Sequence, residues 1–179
     1  MKLKIKVKRL NKSISLPHIA EKGDWIDLRA AETVVLDAPQ SGTLKTTTVD
    51  GVKVSHRDVT FDNKLIKLGV AMQLPKGFEA VLLPRSSTYI KFGIIAGNSE
   101  GVIDQSYCGD NDEWKFSAIA LENVIIEEGD KICQFRIQPS QKATIWQKLK
   151  WLLSSGVEIV ETESLKDTSR GGFGTTGIK

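Results

Sequence analysis

Cysteine is scarce in this sequence of 179 residues, which contains Cys108 and Cys133 and no others. Two cysteines cannot build a disulfide framework or a zinc cluster, so we expect a protein of a reducing, intracellular compartment. Long apolar runs are also missing, since none reaches the ~18 residues that a membrane-spanning helix needs. Residues 1–8 alternate lysine with apolar side chains and lack the continuous apolar stretch of a secretory signal. We therefore expect a cytoplasmic protein with no membrane partner.

Charge of one sign is not in excess either. The 25 Lys and Arg residues nearly balance the 22 Asp and Glu residues, which gives a net charge of +3 at pH 7. Proteins that bind nucleic acid usually concentrate basic residues on one face, whereas the lysines at the start of this chain are interpreted as the solvated side of a strand. The balance predicts no nucleic-acid partner. Hydrophobic residues make up 40% of the chain, which is ordinary for one globular domain.

Strands dominate the predicted structure. Leu3, Ile5 and Val7 alternate with lysines, which is the period of a half-buried strand. The stretches before and after Asp50-Gly51 are rich in threonine and valine, and this dipeptide is typical of tight hairpins. Further strands are predicted at 65–72 and 78–83. Short strands at this spacing favour an all-β barrel or sandwich.

One segment has the period of a helix instead. Residues 144–155 carry apolar side chains three and four positions apart, and Gly156 follows as a stop signal. We expect a short helix that packs on the sheet or on a partner subunit. Because Trp146 and Trp151 lie beside lysines, a helix on a membrane surface is the alternative.

The segment 170–177 contains four glycines together with an arginine, a phenylalanine and two threonines. Glycine allows backbone N–H groups to approach an anion closely, and arginine and threonine side chains add hydrogen-bond donors. Such a run is typical of a frayed terminus. It is also typical of a flap that closes over a phosphate-bearing ligand, and composition alone leaves both interpretations open.

Three short segments carry polar side chains suited to chemistry: 27–30, 84–87 and 97–109. The second combines an arginine with two serines at the end of an apolar strand, a set that suits a phosphate oxygen. In the third, residues 101–107 are predicted to form a tight hairpin, and Asp104 follows two apolar residues. A partly desolvated carboxylate in that setting suits a general base for water. Each segment alone is also typical of an ordinary turn with a solvated acid.

Taken in order, the segments resemble the five motifs of the trimeric dUTP pyrophosphatases, or dUTPases, over about residues 3–177. The matching segments are 27–30, 84–87, 101–109, 129–134 and 170–177. The resemblance implies a jelly-roll-like β domain, residues 1–169, with one inserted helix near 144–155, followed by a flexible flap, residues 170–179. It implies a homotrimer with shared active sites. It also implies hydrolysis of dUTP to dUMP and pyrophosphate, in which water attacks the α-phosphorus and Mg²⁺ is held by the triphosphate.

The resemblance further implies a role for each matching residue. Asp104 would orient and deprotonate the water, Tyr107 would lie under the deoxyribose, and Asp27 would hold magnesium through water molecules. The uracil edge would be bound by Asn98, Gly101, Val102 and Ile103. The other substrate-binding residues would be Arg85, Ser86, Ser87, Gln134, Arg170, Phe173, Gly174, Thr175 and Thr176, with Phe173 stacked on uracil.

Some features depart from the family pattern. A bulky Trp25 stands near Asp27, where a glycine is usual, and the fifth motif is two residues shorter than usual, so the reach of its arginine is open. The stretches 43–61 and 144–155 resemble insertions and are candidates for binding a protein partner. The acidic run 110–113 is interpreted as a solvated bulge, with a second metal contact as the alternative.

Two other functions stay open at this point. A dCTP deaminase, or a bifunctional deaminase and dUTPase, would share the fold and some motifs. Deaminases of this kind use a glutamate on the strand after the third motif, where Trp114 stands here, and Glu113 would reach that place only through a register slip. From another class, a regulatory nucleotide-sensing protein could keep the fold and lose turnover. The presence of the full set of matching residues favours the enzyme.

Overall fold

The computed structural model describes residues 1–19 and 21–172. Within these ranges the chain forms fourteen strands and two helices. The strands are β1 (Leu3–Arg9), β2 (His18–Ile19), β3 (Ile26–Arg29), β4 (Val34–Leu36), β5 (Gln40–Val49), β6 (Val52–Thr60), β7 (Asn63–Gln73), β8 (Phe78–Pro84), β9 (Ile94–Ala96), β10 (Gly101–Ile103), β11 (Glu113–Ala120), β12 (Val124–Ile126), β13 (Lys131–Pro139) and β14 (Val157–Glu161). The helices are α1 (Thr88–Phe92) and α2 (Ile145–Leu152).

Two five-stranded sheets pack as a β-sandwich. The first has the strand order β14-β1-β7-β11-β9, and the second has the order β10-β8-β13-β3-β2. Because side chains alternate between the two faces of a strand, β11 buries every second residue along its whole length. Trp114 of β11 meets Phe135 of β13 edge to face, with ring centroids 5.0 Å apart, so the core joins both sheets. The prediction of an all-β sandwich is confirmed.

Strand β1 follows the predicted alternation. Leu3, Ile5 and Val7 are buried in the core, and Lys4 and Lys6 between them are exposed. The strand runs antiparallel to β7 and parallel to β14, which comes about 150 residues later in the chain.

Strands β5 and β6 form the predicted hairpin and make a sheet of their own. Asp50 and Gly51 have φ angles of 49° and 79°, the left-handed conformation that a two-residue type I′ turn needs at both positions. Every residue of the two strands is exposed. The hairpin therefore stands away from the core of the sandwich.

Helix α2 begins where the sequence predicts. The Thr144 side chain accepts a hydrogen bond from the Gln147 N–H, and the Gln147 side chain accepts one from the Thr144 N–H, which is a capping box. The helix ends at Leu152, short of the predicted 155, and buries none of its residues. The helix lies beside β13 without a buried face, so the expected packing on the sheet is found only as a surface contact, and packing on a partner subunit stays a prediction. No counterpart of α1 was predicted, and no helix in the described ranges has the length and hydropathy for crossing a membrane.

Candidate active site

A charged cluster forms where β3, β8 and β13 lie side by side. Strand register pairs Asp27 with Gln134 and Gln134 with Leu83. Arg85 comes two residues after Leu83, so it lies at the same end of the three strands as Asp27 and Gln134. Asp27 is only 6% exposed, and its Oδ1 accepts a hydrogen bond from Arg85 Nε at 2.8 Å. Its Oδ2 lies 3.0 Å from Lys131 Nζ. We call Asp27, Arg85, Lys131 and Gln134 the Asp27 cluster.

A buried hydroxyl fixes the turn that carries Arg85. Thr88 Oγ1 accepts the Arg85 N–H at 2.9 Å and donates to the Ile132 carbonyl at 2.7 Å. Ser86 and Ser87 lie in this turn, and their hydroxyls make no hydrogen bond to the residues that the structure describes. The turn therefore presents two hydroxyls and a guanidinium at one edge of the sheet, which suits an anionic oxygen.

A second group forms around Asp104, in the turn after β10. The Asp104 carbonyl accepts the Tyr107 N–H at 3.1 Å and closes this turn. Asp104 Oδ1 accepts the Ser106 N–H at 2.8 Å and also the Ser106 hydroxyl. Asp104 Oδ2 accepts a hydrogen bond from Arg170 Nη1 at 2.5 Å. Residues 104–109 are called the Asp104 loop below.

The surroundings of Asp104 favour the ionised carboxylate. Partial burial acts to raise its pKa, but the hydrogen bonds from Ser106 and Arg170 outweigh that effect, so the pKa lies below its ordinary value. The carboxylate borders an open cavity of about 640 Å³. The charged and hydroxyl side chains on the cavity wall are Lys76, Glu79, Asp104, Ser106, Ser140, Lys142, Thr144 and Arg170. The cavity wall also carries lysine and arginine side chains. An ionised carboxylate beside such a cavity can bind a water molecule next to an anionic ligand.

Tyr107 lies on the inner side of the Asp104 loop. Its hydroxyl donates to the Glu113 carbonyl at 2.9 Å, and a Cβ added to Gly172 would lie 3.0 Å from its ring. Burial, with the nearby charges of Asp112 and Glu113, raises the pKa of Tyr107. The side chain is therefore a neutral, fixed wall of the loop.

The predicted tight hairpin at 101–107 is not found, because residues 101–103 form a strand and residues 104–107 form the turn that follows it. Gly101, Val102 and Ile103 pair with β8 and not with the strand that precedes them, because β9 pairs with β11 in the other sheet. Asn98 is exposed in the connection between β9 and β10. The backbone of β10 is thus one edge of the second sheet, and Asn98 lies at its start.

The two groups lie at opposite ends of β8. Ile103 pairs with Ala80, so Asp104 lies level with Glu79, near the start of this strand. Arg85 follows its last residue, Pro84. From position 79 to position 85 an extended strand spans roughly 20 Å, at about 3.3 Å per residue. Asp104 and Arg85 of one chain therefore cannot act on the same phosphorus atom.

The structure brings some predicted residues together and leaves others outside. Asp27, Arg85 and Gln134 form one group, and Asp104, Tyr107 and Arg170 form the other. The shortened fifth motif still allows Arg170 to reach the Asp104 loop. The positions outside the described residues are Phe173, Gly174, Thr175 and Thr176.

Two residues of these groups, and one that lies beside the Asp104 loop, have no role in the sequence prediction. Lys131 lies within the fourth matching segment, so the sequence could have indicated that it belongs to the site. Its contact with Asp27 could not be predicted from the spacing of the two residues. Ser106 was detectable only as a hydroxyl two residues after Asp104. Asp112 is 2% exposed, so the interpretation of the whole run 110–113 as a solvated bulge is wrong for this residue.

The predicted magnesium ion would need oxygen ligands at this site. No three His, Cys, Asp or Glu side chains converge on a metal position within residues 1–19 and 21–172. Magnesium prefers oxygen ligands and keeps several waters. An ionised carboxylate has about four lone pairs, so both oxygens of Asp27 retain capacity for a hydrogen bond from water beside Arg85 and Lys131. The donor set fits a metal ion that arrives with phosphate oxygens, and it does not form a protein cage.

The family model and the most similar curated proteins point to the same family. The family model described as dUTPase matches residues 54–177. The SPbeta prophage-derived deoxyuridine 5'-triphosphate nucleotidohydrolase YosS of Bacillus subtilis (strain 168) is 42% identical over 177 residues, which cover 99% of this chain and 100% of the relative. The deoxyuridine 5'-triphosphate nucleotidohydrolase of Hydrogenobaculum sp. (strain Y04AAS1) is 34% identical over 182 residues, with coverage of 99% and 100%.

Solved structures share the fold. A dUTPase from Streptococcus mutans matches with a TM-score of 0.58 and 20% identity, over 78% of this chain and 98% of that chain. A mutant dUTPase from phage phi11 of S. aureus matches with a TM-score of 0.56 and 20% identity, over 79% and 94%. That second structure is described as revealing the coordination of a structural Mg(II) ion. The expectation of a jelly-roll-like fold is confirmed.

Proposed function

The chain belongs to the dUTPase family and hydrolyses dUTP to dUMP, and from that premise we propose that Asp104 is the general base of the reaction. The observation that carries this role is the carboxylate of Asp104 at the cavity wall, held by Ser106 on one oxygen and by Arg170 on the other. Asp104 orients a water molecule and accepts its proton as the water attacks the α-phosphorus. The bond to the bridging oxygen breaks, and pyrophosphate leaves.

The low pKa of Asp104 is compatible with this role because the base needs to be ionised before it binds water. Arg170 occupies one of its oxygens in the substrate-free chain. A triphosphate carries more negative charge than a carboxylate, so we propose that it draws Arg170 away as substrate binds. Asp104 then loses a cationic partner, its pKa rises, and it becomes a stronger base when the water is in place.

The Asp27 cluster is proposed to hold the phosphates. Arg85, with the open hydroxyls of Ser86 and Ser87, supplies charge-assisted donors, and Gln134 supplies an amide beside them. Phosphoryl-type chemistry depends mainly on positioning and on stabilising charge. The buried pairing of Asp27 with Arg85 supports this role, because it fixes the guanidinium before substrate arrives.

Recognition of the nucleoside is proposed for the other side of the site. Tyr107 packs under the deoxyribose, and Asn98 with the backbone of residues 101–103 binds the uracil edge. Residues 170–179 are proposed to act as a flap that closes over the substrate. In this flap Phe173 would stack on uracil, Thr175 and Thr176 would bind the outer phosphates, and Gly174 would contact the substrate. These four residues lie outside the described residues.

Magnesium is the proposed cofactor, bound mainly by substrate oxygens, with Asp27 in contact through water. When bound, the ion would neutralise negative charge on the phosphates. Asp27 keeps Arg85 and Lys131 in place beside it. The description of a structural Mg(II) ion in the phage phi11 enzyme is compatible with this cofactor.

We propose that the protein is a homotrimer with shared active sites. The support is the separation of roughly 20 Å between the Asp104 loop and Arg85 along one strand, which excludes a complete site within one chain. One copy would supply the Asp104 loop and another would supply the Asp27 cluster. Because dUTP belongs to the intracellular nucleotide pool, a cytoplasmic enzyme is proposed. A protein partner for 43–61 or 144–155 stays a prediction.

The deaminase alternative gains no support. Trp114, at the position where deaminases of this fold would need a glutamate, is fully buried against Phe135. Glu113 accepts the Gly69 N–H at 3.1 Å, so its carboxylate is engaged within its own sheet. A register slip that moved it into the cavity would remove Trp114 from the core.

Nucleotide assays with matched variants test the proposal. The purified protein is mixed in turn with dUTP, dCTP and dTTP in the presence of magnesium, and pyrophosphate release is followed. We expect pyrophosphate from dUTP alone. Asp104→Asn should lower kcat by about 10²–10⁴-fold, the range of general-base catalysis, and should keep affinity for a non-hydrolysable dUTP analogue. Asp58→Asn, on the exposed hairpin, is the control. Near-normal turnover by Asp104→Asn would exclude Asp104 as the base.

A further inference from the structure

The turn that joins β7 to β8 touches the tip of the Asp104 loop. We call this turn, residues 74–77, the Gly77 turn. Gly77 is buried and has a φ of 84°, a left-handed conformation that favours glycine. Its N–H donates a hydrogen bond to Oε1 of Gln105, the residue that follows Asp104. A buried N–H without an acceptor is costly, so this hydrogen bond ties the tip of the loop to the start of β8.

The start of helix α2 lies against the same glycine. A Cβ built on Gly77 would lie 2.3 Å from Cδ of Gln147 and 2.4 Å from its Oε1, so the Gln147 amide is in direct contact with this glycine. The capping box holds this amide in place, because its oxygen accepts the Thr144 N–H at 2.7 Å. The Gly77 carbonyl accepts the Ser140 N–H at 2.9 Å, which ties the chain before α2 to the turn. The Asp104 loop and the start of α2 therefore meet at one residue.

The same residues line the cavity that Asp104 borders. Gly77, Gln105, Thr144 and Gln147 all contribute to its wall. Helix α2 buries none of its residues, so a part in the hydrophobic core does not explain its place in the fold. Its first turn lies at the cavity that carries the proposed base, and this placement gives the inserted helix a use in the reaction.

We propose that Gln105 is a positioning residue for Asp104, and that the first turn of α2 supports it through Gly77. The Gln105 side chain fixes the tip of the loop, and the Gln147 amide keeps the Gly77 turn in the conformation that presents its N–H. Gln105 acts through the loop backbone and does not touch the reacting atoms. The role rests on the proposed function of Asp104, whose carboxylate has to stay within reach of one water molecule. Small displacements of a catalytic group lower the rate steeply.

Amide hydrogen exchange tests the contact of Gln105 with Gly77 without any use of activity. Gln105→Met keeps the length of the side chain and removes its acceptor, so the Gly77 amide should exchange about fivefold faster, within the range for loss of one neutral hydrogen bond. Gln105→Glu keeps an acceptor oxygen and should leave this exchange close to wild type. Gln141→Met is the matched control, because the Gln141 side chain lines the same cavity and makes no hydrogen bond to the residues that the structure describes. An unchanged Gly77 amide in Gln105→Met would overturn the proposal.

Two variants of α2 separate its contact with Gly77 from the formation of the helix. Gln147→Ala and Thr144→Ala each break the capping box, but only Gln147→Ala also removes the amide that lies against Gly77. We therefore expect faster exchange of the Gly77 amide in Gln147→Ala and exchange close to wild type in Thr144→Ala. Equal exchange in the two variants would contradict the support of the turn by α2.

Kinetics then test the effect on the reaction. Gln105→Met should lower kcat for dUTP by about tenfold and change KM by less than about twofold, the pattern of an interaction that matters mainly in the transition state. Gln105→Glu should recover kcat to within about threefold of wild type. This comparison is made above the acid limb of the pH profile, where the added charge leaves Asp104 ionised. Gln141→Met should match wild type, and faster Gly77 exchange with an unchanged kcat would refute the positioning role.

Thermal unfolding of every variant separates a local change from loss of the fold. If Gln105→Met does not fold, Gln105→Ala replaces it in both measurements, since it also removes the acceptor and only shortens an exposed side chain. A wild-type protein without dUTP turnover would refute the proposed function of Asp104 instead. Exchange of the Gly77 amide would still decide whether Gln105 and α2 hold the turn.

Discussion

Two inactive variants should restore activity to each other when they are mixed. Asp104→Asn removes the base, and Arg85→Gln removes the guanidinium at the other end of β8. The strand register separates these positions by roughly 20 Å, so each site has to take Asp104 from one copy and Arg85 from another. Neither variant alone has an intact site, but a mixed oligomer does.

The expected recovery follows from counting. In a random one-to-one mixture, the chain that supplies Asp104 to a site has this residue intact with a probability of one half. The chain that supplies Arg85 to the same site likewise has it intact with a probability of one half. About one quarter of the sites in a closed oligomer are therefore complete. Asp104→Asn alone should retain about 1% of activity or less. Arg85→Gln alone should lose about tenfold or more, since it gives up charge-assisted hydrogen bonds. The unselected mixture should therefore reach about 25% of wild-type activity per chain, and trimers selected to contain both variants should reach about 33%, because one of their three sites is complete.

The assay needs real exchange of subunits. The two variants are tagged differently, unfolded together, refolded, and passed over both affinity resins, so that only mixed oligomers are measured. Samples refolded separately and then combined serve as controls. If the mixed oligomers show only the average activity of the two parents, the site is contained in one chain, and the reasoning from the β8 register is refuted.

Three further outcomes are expected. Hydrogen bonds from Ser106 and Arg170 hold the pKa of Asp104 below its ordinary value. Arg170→Gln should therefore move the acid limb of the pH profile of kcat/KM to higher pH. An unmoved limb would contradict the pairing of Arg170 with Asp104. Burial raises the pKa of Cys108 to about 11 and that of Cys133 well above its usual range. A thiol reagent at neutral pH should therefore label the native protein slowly and label both thiols after unfolding. Rapid labelling of the native protein would argue against the burial of these thiols. Asp27→Asn should lower the free energy of unfolding, measured in urea, by about 2–3 kcal/mol, which is less than for a fully buried pair because the partners of Asp27 are partly exposed. The control Asp58→Asn should change it by less than about 0.5 kcal/mol. An equally small change for Asp27→Asn would show that its ion pairs contribute little to stability.

The strands were predictable because their signals are local. Leu3, Ile5 and Val7 alternate with lysines, and the turn at Asp50-Gly51 needs only its own two residues to adopt left-handed φ angles. Short-range periodicity determines which face of a strand is buried. It contains no information on which strand lies next to which, so the pairing of β10 with β8 was not predicted.

The site was predictable as a set of segments and not as a set of contacts. The matching segments follow one another in a fixed order along the chain, which is why Asp104 and Arg85 could be named as candidates without a structure. Asp112 could not be found in this way, because its partners Arg170 and Gly171 are 58 and 59 positions away. A buried carboxylate satisfied by distant backbone has the same sequence pattern as a solvated acid.

The parallel pairing of β1 with β14 has a consequence for synthesis of the chain. Strand β1 leaves the ribosome about 150 residues before its neighbour β14, and β7 pairs only with residues 6–9. Until then, the buried side chains of Leu3 and Ile5 belong to an unpaired strand edge, which is a template for aggregation. Lys4 and Lys6 lie between them on the other face and repel a second nascent copy. The lysine alternation therefore protects the newborn chain as well as forming the solvated face of the folded one.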